Sequence, residues 1–232
     1  MTRTLAHRIR HALCGWLPAA LDIVFPRSAL ERAIPRLTVA HLHESCPPAR
    51  ESKGRDVHAL FAYTHPTMRA LIWLLKYRGN RHAVMLAADA LFELIAGDVA
   101  EHIRFRGDKP PVVIPIPLGE KRLRERGFNQ MSLVLREMSL KNTQNKNNAF
   151  FEPREDVLEK IKDTKPQTLI KDKKTRRHNL TGCFAVTDTG AISQRHIILI
   201  DDVTTTGATF DEARSVLLAA GAASVVCYAV AH

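Results

Sequence analysis

The sequence predicts an α/β protein with a mostly parallel sheet flanked by helices and a small irregular appendage at the N-terminus. Two apolar runs, at residues 111–117 and 197–200, are typical of strands that are buried on both faces, as in a parallel sheet. Each run leads into a polar loop and then into a helical pattern. Buried strands that alternate with helices indicate an α/β sheet.

The composition of the 232 residues, 45% apolar and 25% charged, is that of a globular chain with one principal core. The formal net charge of +10 predicts attraction to polyanions, either phosphorylated substrates or nucleic acid, and charge alone does not choose between them. The cysteines are far apart and form no CxxC pair, which indicates neither a disulfide framework nor a complete zinc site: Cys14, Cys46, Cys183 and Cys227. We therefore expect a cytoplasmic protein.

Residues 1–55 form the predicted appendage, because prolines break this stretch into short pieces. Its apolar run at 12–25 follows several arginines, but Pro18 and Asp22 interrupt it and it is too short to span a bilayer. We expect an amphipathic helix here, with attachment to a membrane surface as an alternative. His41, His43 and Cys46 supply three of the four ligands that a zinc site needs, so we expect no zinc site.

Residues 56–232 form the predicted main domain. A strand is expected at 57–63, followed by helices at 68–77 and 83–95. Lys76 lies at the end of the first of these helices, where its charge suits either a phosphate or the negative end of the helix dipole.

The strand at 111–117 runs into a basic stretch at 121–130 and then into a helix at 131–138. Cations are unfavourable at the positive N-terminus of a helix unless an anion joins them, so this stretch predicts an anion site; the alternative is a solvated basic helix start. A loop is expected at residues 141–148, which are rich in asparagine and lysine and have no apolar period. The basic segment at 164–184 has the composition of a lid over a phosphate site, or of a solvated loop.

The most informative stretch is residues 197–209, in which an apolar strand ends in Asp201 and Asp202 and continues into a threonine-rich loop with Gly207. The next helix has one apolar face: Phe210, Ala213, Leu217 and Ala220. Acidic residues in its first turn and Gly221 after its last turn are helix start and stop signals. A second core strand is expected at 224–229.

A loop at a helix N-terminus directs backbone N–H groups and the positive end of the helix dipole at one point, where a phosphate is favoured. The adjacent Asp pair would repel that anion unless it contacts sugar hydroxyls or a divalent cation on the same ligand. The stretch therefore predicts a site for a phosphorylated sugar. The alternative is a buried strand and a capped helix, with Asp201 and Asp202 as solvated end residues.

The stretch resembles the binding motif of type I phosphoribosyltransferases, in which an acidic pair holds the ribose of phosphoribosyl pyrophosphate and the loop wraps its 5′-phosphate. Together with three other blocks it resembles the ComF family of competence-linked, phosphoribosyltransferase-like proteins over residues 57–232. Those blocks are Phe61-Ala62-Tyr63 through Lys76-Tyr77-Arg78-Gly79, Ile114-Pro115-Ile116-Pro117 through Arg126-Gly127-Phe128-Asn129-Gln130, and Lys165-Pro166-Gln167 through Arg177-His178-Asn179-Leu180.

The resemblance implies a type I phosphoribosyltransferase fold and assigns roles to particular residues. Asp201 and Asp202 would act on the ribose and Mg²⁺ as the catalytic pair, and the 5′-phosphate would bind at Thr204, Thr205, Thr206, Gly207, Ala208 and Thr209. Pyrophosphate would bind at Arg122, Arg124, Arg126, Gly127, Asn129 and Lys76. The hood over the acceptor would include Gln167, Arg177 and Asn179.

The family also has an N-terminal zinc ribbon with two CxxC pairs, and here the sequence departs from it. Ser28 and Glu31 stand where cysteines are expected, and Cys46 is the one cysteine kept from the second pair. The ribbon is therefore expected to be degenerate and to hold no zinc.

Two functions follow from the sequence. The first is transfer of a phosphoribosyl group from phosphoribosyl pyrophosphate with Mg²⁺ to an unknown nitrogenous acceptor, with release of pyrophosphate. The alternative is a non-catalytic DNA-uptake or regulatory protein that uses the same fold to bind a phosphorylated metabolite or single-stranded DNA, with the competence machinery as its partner. The resemblance also makes a homo-oligomer an expectation, and no transmembrane segment is predicted.

Overall fold

A parallel sheet of five strands forms the centre of the molecule. The structure is a computed structural model and describes residues 29–49, 57–101, 109–144, 149–162 and 182–232. The sheet has the order β1-β7-β6-β2-β3, and every neighbouring pair is parallel. Its strands are β1 (Val57–Phe61), β2 (Val112–Pro115), β3 (Glu152–Pro153), β6 (His196–Val203) and β7 (Ser224–Ala231). A separate antiparallel hairpin pairs β4 (Leu158–Lys160) with β5 (Phe184–Val186).

The helices lie on both faces of this sheet. They are α1 (Ala29–Ala33), α2 (Val39–Ser45), α3 (Pro66–Arg78), α4 (Arg81–Glu101), α5 (Glu120–Arg126), α6 (Gln130–Gln144) and α7 (Ala208–Ala219), with a 3₁₀ turn at Ile34–Arg36. The prediction of a mostly parallel sheet flanked by helices is confirmed. No helix in the described ranges is both long enough and apolar enough to cross a membrane.

Strand β6 divides the apolar interior into two cores. Successive side chains of a strand point to opposite faces, so Ile198 and Ile200 pack with helices α3, α4 and α6 while Ile197 and Leu199 pack with α7. All four side chains are fully buried. Strand β6 pairs with β2 on one side and β7 on the other, which explains its continuous apolar run.

The described part of the appendage packs against the main domain. Ile34, Leu42 and Cys46 belong to the same core as α3 and α4. The three residues weighed as a zinc site have separate partners: His41 contacts Thr38 at the start of α2, His43 lies against the ring of Phe61, and Cys46 lies 3.4 Å from His65 Nδ1. Among the residues that the structure covers, no group of three or more His, Cys, Asp or Glu side chains could hold a metal ion.

Several elements differ from the sequence expectation. The basic stretch after β2 contains the short helix α5, so its arginines lie within and at the end of a helix rather than at the start of the next one. Helix α6 runs to Gln144 and includes the first part of the loop expected at 141–148. Asn142 extends it by accepting a hydrogen bond from Phe150 N and donating one to Phe151 O. The amphipathic helix expected at 12–25 lies outside the described residues.

Candidate functional site

Strands β2 and β6 lie side by side, and the chain adds its next strand on opposite sides of this pair. The chain continues from β2 to β3 on one side, and from β6 to β7 on the other. The loops that follow β2 and β6 therefore separate and leave a crevice beyond the carboxyl ends of the strands, which is where open α/β sheets bind ligands. The basic stretch follows β2 and the threonine-rich loop follows β6, so both predicted anion sites border this crevice.

The two aspartates lie near the end of strand β6, and their side chains point to opposite faces of the sheet. Asp202 is on the same face as Ile198 and Ile200 and is 3% exposed, whereas Asp201 lies on the other face and is half-buried. The hypothesis that both are solvated end residues therefore does not fit Asp202.

Asp202 is held by two side chains from different helices. Lys76 Nζ of α3 lies 2.9 Å from Asp202 Oδ1, and Gln130 Nε2 of α6 donates to Asp202 Oδ2 at 2.7 Å. Burial by itself would lower the pKa of Lys76, but the charge and hydrogen bond of Asp202 outweigh it and raise that pKa. Lys76 is thus a charged partner of Asp202 in addition to a cation at a helix end.

Asp201 has the carboxylate that remains available to a ligand. Its Oδ1 accepts a hydrogen bond from Asp202 N at 2.8 Å, and its Oδ2 accepts none from the described residues. Burial, and then the charge of Asp202, raise the pKa of Asp201 to about 7. A cation or a pair of hydroxyl donors beside Asp201 would stabilise its charged form, which the free protein disfavours.

The threonine-rich loop leads into α7 through Gly207, which has a φ of 73°. The backbone N–H groups of Thr205 and Gly207 donate to no acceptor within the described ranges. Thr204 N donates to Ala231 O at the end of β7, which fixes the start of the loop to the sheet. Unpaired amides at the N-terminus of a twelve-residue helix are suited to bind an anion.

Not all of the residues predicted to bind the 5′-phosphate have side chains that a ligand could contact. The side chains of Thr204 and Ala208 are buried, and Thr204 N already donates to Ala231 O. Thr205 is exposed, and Thr206 and Thr209 are half-buried.

The basic residues after β2 lie in different surroundings. The guanidinium of Arg126 lies 5.3 Å from the centre of the Tyr77 ring and donates to Gln130 Oε1 at 3.0 Å. Arg124 forms an exposed ion pair with Glu120 on its own helix. Arg126 therefore acts on Lys76 through its charge and is joined to Asp202 through Gln130, while Arg124 faces solvent and Arg122 is half-buried.

Gly127 and Asn129 shape the connection between α5 and α6. Gly127 ends α5 in a left-handed conformation with a φ of 79°. Asn129 donates to Ile116 O and accepts from Met131 N, so its side chain starts α6 and ties it to the end of β2. Gly79 lies against this connection, since a Cβ there would be 3.1 Å from the ring of Phe128.

Sequence reasoning did not assign a role to Gln130, Tyr77 or Lys160. Gln130 stands at the end of the basic stretch, and its buried contact with Asp202 spans 72 positions of sequence. Lys160 of β4 acts on the site through its charge. Burial raises the pKa of Asp201, and the charge of Lys160 lowers it by a smaller amount. No local signal distinguishes this lysine from the many others in the chain.

The predicted hood residues, Gln167, Arg177 and Asn179, lie outside the described residues. The chain that flanks them is anchored near the threonine-rich loop, because Gly182 N donates to Glu212 Oε1 in the first turns of α7.

Two of the solved structures that a structural search finds are enzymes. A hypoxanthine phosphoribosyltransferase from Staphylococcus aureus is 14% identical with a TM-score of 0.34, covering 65% of this chain and 63% of that one. The allosteric regulatory enzyme of purine biosynthesis is 13% identical with a TM-score of 0.38, covering 68% and 30%. Scores this low do not place the chain in a family.

Sequence comparison identifies relatives named for DNA uptake and use. DNA utilization protein YhgH of Escherichia coli O157:H7 is 30% identical over 161 residues, which are 69% of this chain and 65% of that protein. Competence protein ComFC of Bacillus subtilis is 36% identical over 119 residues, or 51% and 43%. Competence protein F of Haemophilus influenzae is 30% identical over 125 residues, or 53% and 51%.

The chain thus matches less than two thirds of the length of each of these curated relatives. No protein-family model matches it. The relatives carry the names of competence and DNA-utilization proteins, and the parallel sheet ends in the acidic pair and threonine-rich loop described above. The chain is therefore similar, over 51–69% of its length, to proteins named for competence and DNA utilization.

Proposed function

We propose that the protein binds phosphoribosyl pyrophosphate with Mg²⁺ in the crevice between β2 and β6 and transfers the phosphoribosyl group to a nitrogenous acceptor. The observation that carries this proposal is the convergence of three kinds of group at one edge of the sheet. These are the available carboxylate of Asp201, the cations Lys76 and Arg126, and the unpaired amides at the start of α7.

Each part of the ligand has a matching group in the crevice. The amides of Thr205 and Gly207 would receive the 5′-phosphate, and Asp201 would accept hydrogen bonds from the ribose hydroxyls. Arg126 and Lys76 would lie beside the pyrophosphate.

Mg²⁺ fits this set of groups. It prefers oxygen ligands and commonly takes one or two carboxylates together with phosphates and water. Asp201 Oδ2 accepts no hydrogen bond from the described residues, whereas both oxygens of Asp202 are engaged, so Asp201 is the carboxylate that would hold the ion. When bound, Mg²⁺ would supply positive charge to the pyrophosphate oxygens.

In the proposed transfer, the bond between ribose C1 and the pyrophosphate oxygen breaks, and its electron pair leaves with pyrophosphate. The acceptor nitrogen forms the new bond to C1 with its lone pair and loses its proton to solvent. Arg126 and Lys76 would stabilise the departing negative charge, and the carboxylate of Asp201 would stabilise the positive charge that develops on the ribose. No protein nucleophile is required.

The test is a calorimetric titration of phosphoribosyl pyrophosphate with and without Mg²⁺. The wild-type protein should bind only with Mg²⁺, and Asp201→Asn should weaken binding at least about tenfold, because a charge-assisted contact contributes about 1.5–3 kcal/mol. Glu93→Gln, which removes an exposed carboxylate from α4, is the matched control and should bind like wild type. Equal affinity in wild type and Asp201→Asn would contradict the assigned site.

Single-stranded DNA is a second candidate ligand, and an array of rings and arginines on α3 favours it. The rings of Trp73 and Tyr77 lie 5.7 Å apart, Arg78 lies 5.2 Å over Trp73, and Arg126 lies over Tyr77. Tyr77 is 55% exposed. The exposed Tyr77 ring, the half-buried Trp73 ring and the cations beside them resemble the platforms on which nucleic-acid bases stack.

Oligonucleotide binding by fluorescence anisotropy tests this candidate. The double variant Trp73→Ala, Tyr77→Ala should lose about tenfold or more in affinity, since stacking contributes about 1–3 kcal/mol per base. Affinity should also fall steeply as salt rises. Tyr63→Ala, which removes an exposed ring before α3, is the control. An unchanged affinity in the double variant would exclude the array as the binding surface.

We also propose a cytoplasmic location, because the four cysteines are far apart in sequence and form no CxxC pair, a pattern that indicates no disulfide framework. Cell fractionation of a tagged full-length chain would test it.

A further inference from the structure

Gln130 lies between the two sides of the crevice and contacts both. Its Nε2 donates to Asp202 Oδ2 at 2.7 Å, and its Oε1 accepts from the guanidinium of Arg126 at 3.0 Å. Lys76 occupies the other oxygen of Asp202 at 2.9 Å. Arg126, Gln130, Asp202 and Lys76 thus form one continuous polar chain, which joins α5, α6, β6 and α3.

The chemistry of the amide suits this position. A neutral amide donates from nitrogen to a carboxylate and accepts at oxygen from a guanidinium at the same time. An ionised carboxylate in its place could accept only, and an apolar side chain could do neither. Gln130 is 3% exposed, so water has little access to replace the lost contacts.

We propose that Gln130 is a positioning residue that couples Arg126, on the pyrophosphate side, to Asp202, on the ribose side, so that a ligand on one side orders the other. This inference rests on the proposed function. Because both oxygens of Asp202 are engaged, Asp202 anchors the end of β6, and its backbone N–H in turn orients Asp201. Asp201 and Arg126 would contact the ligand, and Gln130 would fix the position of Arg126 relative to Asp201.

A merely structural role for Gln130 gives different expectations. It is the first residue of α6 and satisfies buried polar groups, so any substitution would lower the stability of the fold. In that case its loss would weaken the binding of all ligands alike. Coupling between the two sides is the quantity that separates the two roles.

The experiment measures how pyrophosphate with Mg²⁺ changes the affinity for ribose 5-phosphate. In the wild type we expect the affinity to rise about fivefold or more, a typical coupling between two sites. In Gln130→Leu the effect should fall to within about twofold. Asn142→Leu removes a buried amide from the other end of α6 and serves as the matched control, since the Asn142 side chain forms hydrogen bonds only with Phe150 and Phe151 among the described residues. It should lower stability and keep the coupling.

Gln130→Glu should cause a loss of ligand affinity that depends on pH. When protonated, the new carboxyl group can donate to Asp202 and accept from Arg126, and when ionised it repels Asp202. The other charged groups that face this position are Lys76 from α3 and Asp201 from β6. The loss of affinity relative to wild type should shrink from about tenfold near pH 8 to about threefold or less near pH 5.5. A loss that does not change with pH would overturn the proposal.

The free protein provides a test that does not depend on the ligand. Arg126→Met and Asp202→Asn should be non-additive in denaturant unfolding when Gln130 is present and additive in the Gln130→Leu background. If Asp202→Asn does not fold, Lys76→Met takes its place in the cycle. Failure of the wild type to bind phosphoribosyl pyrophosphate would overturn the proposed function, and additivity in the presence of Gln130 would overturn the coupling.

Discussion

The two aspartates at the end of β6 show how neighbouring residues of one type acquire different properties. Asp202 is buried with a lysine and an amide on its oxygens, so its charge is matched within the protein. Asp201 faces the crevice and has a pKa raised to about 7. A carboxylate that is unfavourable in the free protein is typical of a residue that is stabilised by its ligand.

Asp201→Asn should therefore stabilise the protein at alkaline pH while it weakens ligand binding. A raised pKa in the folded state means that the contribution of Asp201 to stability is full below its unfolded pKa, about 4, and is lost as pH rises through about 7. The variant escapes this loss, so its free energy of unfolding should exceed that of wild type by about 1–3 kcal/mol near pH 8 and by little near pH 4. Urea titrations across this range give the difference. Two parallel pH profiles would contradict the assigned environment.

Lys76→Met should destabilise the protein because it leaves the buried charge of Asp202 without its cation. We expect a loss of about 1–3 kcal/mol, less than a fully buried pair would give because the Lys76 side chain is 25% exposed. Lys141→Met is the matched control, since it breaks a more exposed pair with Asp89 at the same 2.9 Å distance. Its loss should be below about 1 kcal/mol. Equal losses in thermal or denaturant unfolding would show that burial of Asp202 does not matter.

At the scale of elements, the strand-loop-helix unit from β6 to α7 forms the side of the crevice that we propose binds the 5′-phosphate. Gly207 makes the turn, because its φ of 73° is a conformation that other residues adopt only at a cost. The unit was predictable from sequence since all its signals are local: a buried run, a glycine turn and an amphipathic helix with the apolar residues Phe210, Ala213 and Leu217.

Gly207→Ala should lower stability by about 1 kcal/mol and weaken binding of the 5′-phosphate. Gly97→Ala is the control within a helix, where a Cβ would meet nothing within 4 Å. That substitution should raise stability by up to about 1 kcal/mol through helix propensity. Opposite shifts of the denaturation midpoint are expected, with ribose 5-phosphate affinity reduced only in Gly207→Ala. A stabilised Gly207→Ala would contradict the conformation of the turn.

At the scale of the whole molecule, the sheet brings distant parts of the chain to one edge. Residues from α3, the start of α6 and the end of β6 meet because β2 and β6 are neighbours and their carboxyl ends coincide. Helices on both faces hold this edge in place, so a ligand bound there stabilises the fold as a unit.

Phosphoribosyl pyrophosphate with Mg²⁺ should raise the thermal midpoint of the wild-type protein. A ligand at a hundred times its dissociation constant adds about 2.7 kcal/mol, and a chain of this size gains about 2–4 °C per kcal/mol, so a shift of about 5–10 °C is expected. Chelation of Mg²⁺ should abolish the shift, and Asp201→Asn, with an affinity at least about tenfold lower, should reduce it to about half or less. A shift that persists with chelator would contradict a role for the ion.

The sequence by itself determined the central strands, the helices that cover them and the acidic pair with its threonine-rich loop, because each depends on neighbours within one or two turns of chain. It also located the basic stretch, although not the short helix α5 inside it. Only the tertiary structure decided that Lys76 pairs with Asp202 while Arg124 faces solvent, and that Gln130 joins Arg126 to Asp202. These contacts arise from the order of strands in the sheet, and residues 72 positions apart carry no local sign of meeting.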